Sequence, residues 1–175
     1  EQDTATADKL LSASASISTS MPDKFLQERY RFQRLRLMFY TQRYADAQKY
    51  YSANITSFTN ESSVKYRFMH SAAGAFRRDN KYGQANYLYS VVFDHFAPLK
   101  RTSFMSFRPS EESDFQECLS LAKSTREKTV IWQILGVAND GLAGSSKIYE
   151  LAPGSDLLPL LLVREVNRTE RAIRA

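Results

Sequence analysis

The chain of 175 residues carries 24 Lys and Arg against 19 Asp and Glu, a net charge of +5, with 43% apolar residues, 6 Gly, 5 Pro and a single cysteine, Cys118. One cysteine excludes an internal disulfide and any zinc centre built on several thiolates, and so few Gly and Pro argue against a turn-rich sandwich or barrel. The mild positive charge permits anionic partners without demanding them, and the longest apolar run, residues 157–163, is far shorter than the roughly 20 residues of a membrane span.

Residues 1–22 are rich in Ser, Thr and Ala and read as a flexible N-terminal lead-in. The first strong helix is expected from Pro22-Asp23 to about Gln42, since Pro suits a first turn and an acid suits the positive end of the helix dipole. At about 100° per residue, Phe32, Leu35 and Phe39 share one side, with Tyr30 and Leu37 nearly opposite. Two apolar stripes place that helix between layers, as in stacked hairpins or at the centre of a bundle. A second helix is expected over 44–55 and a third over 64–78. Gly74 stands in a run of alanines, where its cost of about 1 kcal/mol is accepted for close approach of a neighbouring helix. A fourth helix covers 82–96, and Pro98 ends it.

Residues 99–111 lack periodicity and are expected as a connecting loop between the hairpins of 23–98 and the further helices of 112–171. Those helices are expected over 112–123, 126–138 and 142–151, with a last one after Ser155. Asn139 and Gly141 tolerate a left-handed backbone and make a helix stop between the second and third of these. No run alternates with period two, so the fold is expected to be all-α. The missing initiator Met and the helical run-on at the far end read as a piece of a longer chain or a processed form.

Two stretches repeat. Tyr30-Arg31-Phe32 returns as Tyr66-Arg67-Phe68, an offset of 36, and Tyr44-x-x-Ala47-x-x-x-Tyr51 returns as Tyr82-x-x-Ala85-x-x-x-Tyr89, an offset of 38. A period in the middle thirties is the length of a helix-turn-helix solenoid unit. At these residues the chain resembles the tetratricopeptide family. Ala47 and Ala85 match its small contact position, Tyr44, Tyr51, Tyr82 and Tyr89 its flanking aromatics, residues 72–74 its small contact in a first helix, and Pro98 its closing proline. Trp132 to Gly136 matches the family's opening of a further unit, which runs short and is degenerate. The resemblance implies antiparallel helical hairpins stacked as an α-α superhelix, with first helices lining a concave groove that binds proteins or peptides. The closing segment, 148–167, is also similar to helical-repeat segments of large bacterial envelope proteins, which implies a periplasmic or envelope location.

Chemistry of a catalytic kind finds little footing in the sequence. His70 and His95 lie in different helices without ligand-spaced partners, and adjacent His70 and Ser71 diverge by about 100° on a helix, too far to pair. Cys118 reads as a small buried apolar residue. Residues 141–147 lack the spacing of a phosphate loop. The three Asn-x-Ser/Thr sequons, at Asn54, Asn60 and Asn167, read as unmodified. No enzyme and no cofactor are expected.

The arginines carry the binding hypothesis. Arg29 and Arg36 share one edge of the first helix, and Arg67, His70 and Arg77 belong to the third. These five residues are expected to line a groove that accepts an acidic or extended protein segment through forked guanidinium-carboxylate pairing. The opposing expectation is that the arginines only solvate helix edges with their stems on apolar neighbours. A basic nucleic-acid-binding module is the alternative function, because residues 29–36 interleave arginine with aromatics. The buried look of those aromatics and the modest charge count against it.

Overall fold

The computed structural model describes residues 4–59 and 62–174. Among the described residues every long element is an α-helix and none is a strand. In chain order they are α1 (Thr4–Ser20), α2 (Lys24–Tyr40), α3 (Tyr44–Asn54), α4 (Ser63–Arg78), α5 (Tyr82–His95), α6 (Ala97–Ser106), α7 (Glu112–Leu121), α8 (Thr125–Ala138), α9 (Gly141–Leu151) and α10 (Leu158–Arg174). A single 3-10 turn, Ile55–Ser57, extends α3.

Local chemistry sets the ends. The carboxylate of Asp23 accepts from the amide of Phe25 at 2.8 Å and starts α2. Ser124 caps α8 through the amide of Glu127, and Asp140 caps α9 through the amides of Leu142 and Ala143. Glu111 and Asp114 close a reciprocal capping box on α7.

The turn after α2 and the turn after α4 are the same object. Gln42 and Asn80 hold left-handed φ angles of 61° and 57°. The amide of Arg43 reaches back to the Met38 carbonyl at 2.8 Å, and that of Lys81 to the Phe76 carbonyl at 2.9 Å. Thr41 to Leu37 and Asp79 to Ala75 repeat the match. This is the six-to-one closure of a Schellman turn, with Gln and Asn at the position Gly usually takes. Every pair stands at the 38-residue offset of Ala47 and Ala85. Arg29 therefore corresponds to Arg67, and the Tyr-Arg-Phe match at offset 36 is out of phase with the structural repeat.

Packing follows the chain. α2 lies against α1, α3 and α4; α4 is covered by α3 on one side and α5 on another. α5 packs on α6, α7 and α8, α8 pairs with α9, and α10 lies on both. Ala47 and Ala85 are fully buried at the hairpin joints. Phe68 centres the first half, with ring centroids 4.6 Å from Phe58 and 5.6 Å from Tyr51. The neighbouring loop is tied down by Glu28. Its buried carboxylate accepts from the Thr59 amide at 2.7 Å, the Thr59 hydroxyl at 2.9 Å and the Ser62 hydroxyl at 2.6 Å. Glycines replace aromatics in the second half. A Cβ added to Gly144 would lie 2.9 Å from the Cα of Gly136, so α8 and α9 cross backbone to backbone.

Two segments differ from the sequence expectation. The lead-in of 1–22 is helical from Thr4, with Leu11 buried on the core and Asp8 paired with Arg43. The expected loop of 99–111 begins inside a helix, α6. Pro98 stands in the first turn of α6, where a missing amide costs nothing, so the same residue that stops α5 starts the next helix. The buried position at Ser103 interrupts the apolar stripe and hides the period of α6 from view.

Candidate functional site

Arg29 on α2 and Arg67 and Arg78 on α4 are exposed, Arg36 and Gly74 are half-buried, and His70 and Arg77 are half-buried on the flank of α4 toward α5 and α6. The two helices lie together there: a Cβ on Gly74 would meet the Phe39 ring at 3.1 Å. Arg29, Arg36 and Arg67 are each stacked on an aromatic ring. Arg29 lies 3.4 Å above the Phe25 ring centroid. Arg36 sits between Phe32 at 5.6 Å and Tyr40 at 5.5 Å. Arg67 lies 5.6 Å from the Phe96 centroid, and Lys100 on α6 continues the pattern at 4.6 Å from Phe93. Such contacts hold a planar cation flat and leave its edge for acceptors.

The charge around them is one-sided. α2 and α6 carry basic residues at Lys24, Arg31, Arg34, Lys100 and Arg101 besides those named, yet α2, α4 and α6 together contain one acid, Glu28. That acid is buried. Burial pulls its pKa up, but hydrogen bonds from Ser62 and Thr59 outweigh it and hold the carboxyl below its ordinary value. Among the described residues, no carboxylate lies within ion-pair distance of Arg29, Arg36, Arg67 or Arg77.

His70 and Arg77 play different parts from the other three. His70 is half-buried, its ring edge-on to Tyr89 with centroids 5.2 Å apart, and its Nε2 meets no hydrogen-bond partner. Burial pushes its pKa down, so the imidazole is neutral at pH 7. Arg77 donates to the carbonyl of Ser106, the last residue of α6, and so ties α4 to α6. Beside it a cleft of about 440 Å³ is lined by Phe39, Gly74, Arg77, Arg78, Asn80, Tyr82 and Tyr89. The structure thus holds Arg29 and Arg36 of α2 and Arg67 of α4 each against an aromatic ring, sets His70 half-buried beside Tyr89, and gives Arg77 a structural bond. Lys100 and Arg101 escaped the sequence argument because residues 99–111 were expected as loop; the readable signal was the near absence of acids from three helices.

Two titratable groups elsewhere, Glu127 and Cys118, are engaged or sealed. Glu127 accepts from the Tyr87 hydroxyl at 3.2 Å and the Lys123 amide at 2.7 Å in a recess of about 560 Å³ between α3, α4, α5 and the start of α8. Cys118 is fully buried, and desolvation drives its thiol pKa well up. Among the described residues no three His, Cys, Asp or Glu side chains are grouped to hold a metal ion, and no helix is long and apolar enough to cross a membrane. Comparison with family models, with curated proteins and with solved structures found no match to this chain.

Proposed function

We propose that the chain is a non-catalytic helical-repeat scaffold of tetratricopeptide-like architecture that receives an acidic, extended segment of a protein or peptide partner. In this reading α2–α3, α4–α5 and α8–α9 are packed hairpins, α6 and α7 each lie on α5, and α2 and α4 form the receiving side. The duplicated Schellman turns at offset 38 and the buried alanines at the hairpin joints support the array. The observation that carries the binding role is the set of aromatic-stacked guanidiniums at Arg29, Arg36 and Arg67, which among the described residues have no carboxylate within ion-pair distance. A surface that only solvated its helix edges would interleave both signs, as α10 does.

Fluorescence polarisation with a labelled Glu- and Pro-rich peptide tests this reading. The expected result is binding that weakens as salt is raised and falls at least about tenfold in Arg29→Glu/Arg36→Glu/Arg67→Glu, since each charge-assisted pair is worth about 1.5–3 kcal/mol. Arg164→Glu/Arg168→Glu on α10 serves as the control and keeps full affinity. Equal binding by the triple variant overturns the proposal. A single-stranded oligonucleotide run in parallel is expected to bind more weakly, because a net charge of +5 supplies little sequence-independent attraction for phosphates.

A further inference from the structure

Carried along α2 and α4, the 38-residue equivalence of the two turns pairs Arg36 with Gly74, Phe39 with Arg77 and Tyr40 with Arg78. The exchange changes what a cation has beside it. In the first hairpin Arg36 lies 5.5 Å from the ring of Tyr40, one turn further along the helix. In the second, the same two places hold a glycine and a guanidinium. Arg77 is spent on the Ser106 carbonyl. Arg78 is exposed, and among the described residues it meets neither an aromatic ring nor a carboxylate within ion-pair distance. Arg29, Arg36 and Arg67 each lie against a ring of this chain. Arg78 borders the cleft of about 440 Å³ instead.

That cleft has aromatic walls. Phe39, Tyr82 and Tyr89 line it, with buried Tyr89 at its base and exposed Arg78 and Asn80 at its mouth. Gly74 keeps it open, since a side chain there would crowd the Phe39 ring. Every wall belongs to α2, α4, α5 or the turn that joins α4 to α5. We propose, resting on the binding role above, that this cleft receives an aromatic side chain of the acidic segment, which gives Arg78 the ring that Tyr40 gives Arg36. A ring gains twice here. Its apolar surface leaves water among Phe39, Tyr82 and Tyr89, whose edges and faces add to the burial. Its own face then takes the Arg78 guanidinium. An aliphatic side chain gains the burial alone. A bare carboxylate finds Arg78 but leaves the aromatic walls uncovered.

Fluorescence polarisation tests the proposal with two labelled Glu- and Pro-rich peptides, identical except for Phe or Ala at one central position. The Phe peptide is expected to bind about tenfold tighter, the lower end of what burying one Phe ring supplies. Gly74→Arg restores the residue that the first hairpin has at this place and fills the cleft. It is expected to bring the two peptides to equal affinity, with folding checked by its thermal midpoint. Arg78→Gln, at an exposed position, is expected to cut the Phe advantage by about two- to fivefold. Amide chemical shifts of the unaltered chain give a readout independent of any variant. The Phe peptide is expected to move the Gly74 and Asn80 amides through its ring current, and the Ala peptide to move them less. Equal affinity of the two peptides for the unaltered chain overturns the proposal and leaves acidic-segment binding in place, whereas no binding by either overturns both. A Phe advantage undiminished in either variant, or Phe-specific shifts gathered away from the cleft, also overturns it.

Discussion

The first four-helix block, α2 to α5, and the last block, α8 to α10, solve the same packing problem with different residues. In the first, aromatic rings fill the space between helices, and Ala47 and Ala85 mark the points of closest contact. In the last, Gly136 and Gly144 let two backbones touch. The surface chemistry diverges in step. α2 and α4 expose arginines with no described carboxylate within ion-pair distance, whereas two arginines of the last block are paired. Arg126 is held by both carboxylate oxygens of Asp94, at 3.1 and 2.8 Å, and also pairs with Asp156, and Arg168 lies 3.6 Å from Glu165. That difference is the ground on which we propose the first block as the receiving one.

The contrast can be broken at each block in turn, starting where the effect is largest. Phe68→Ala removes a fully buried ring that touches Phe58, Tyr50 and Tyr51, and is expected to cost about 3–5 kcal/mol in denaturant unfolding. Gly144→Ala forces a methyl onto the Gly136 backbone, and a loss of about 1–3 kcal/mol is expected. Gly154→Ala, at a glycine with open space around it, is expected to cost far less, and equal losses at the two sites would refute the backbone-contact account of α8 and α9.

Acid should unfold the first block in two stages. His70 has a folded pKa below its ordinary 6.5, so the unfolded chain takes up the proton more readily. Stability is therefore full above 6.5 and falls as pH drops from there toward the lowered folded value. Glu28 also has a lowered folded pKa, and its contribution is complete above 4.5 and is lost below it as the carboxylate that holds Thr59 and Ser62 protonates. His70→Phe is expected to remove the upper stage and Glu28→Gln the lower one, read from thermal midpoints across pH. A curve unchanged by either substitution would dissociate these groups from acid sensitivity. The smallest effect is reserved for Arg126→Met. Its guanidinium is half-exposed, so solvent screening limits the loss to about 1 kcal/mol, shrinking further in high salt.

The hairpins were legible because aromatic and alanine positions recur with their turns, and both helix pairs fall where that pattern puts them. The phase of the repeat was harder to read. Tyr30-Arg31-Phe32 and Tyr66-Arg67-Phe68 look alike, but the hydrogen bonds of the two turns set the equivalence two residues away. α6 was hidden because a proline that ends one helix can open another, and because a serine occupies a core position. That Arg29 and Arg36 share one edge of α2 could be read from helical spacing alone; that Arg67 is the counterpart of Arg29 could not, since it rests on the hydrogen bonds of the two turns. The role of Arg77 could not, since its partner is a carbonyl 29 residues along the chain.

Chemical-shift mapping of backbone amides during titration with the Glu- and Pro-rich peptide addresses the central claim most directly, because it reports where the ligand lies. The account predicts perturbations gathered on α2 and α4 around Arg29, Arg36, Arg67, His70 and Gly74, extending to Lys100 on α6. Perturbations gathered instead on α3, α8 or α9, or no saturable change anywhere, would contradict it.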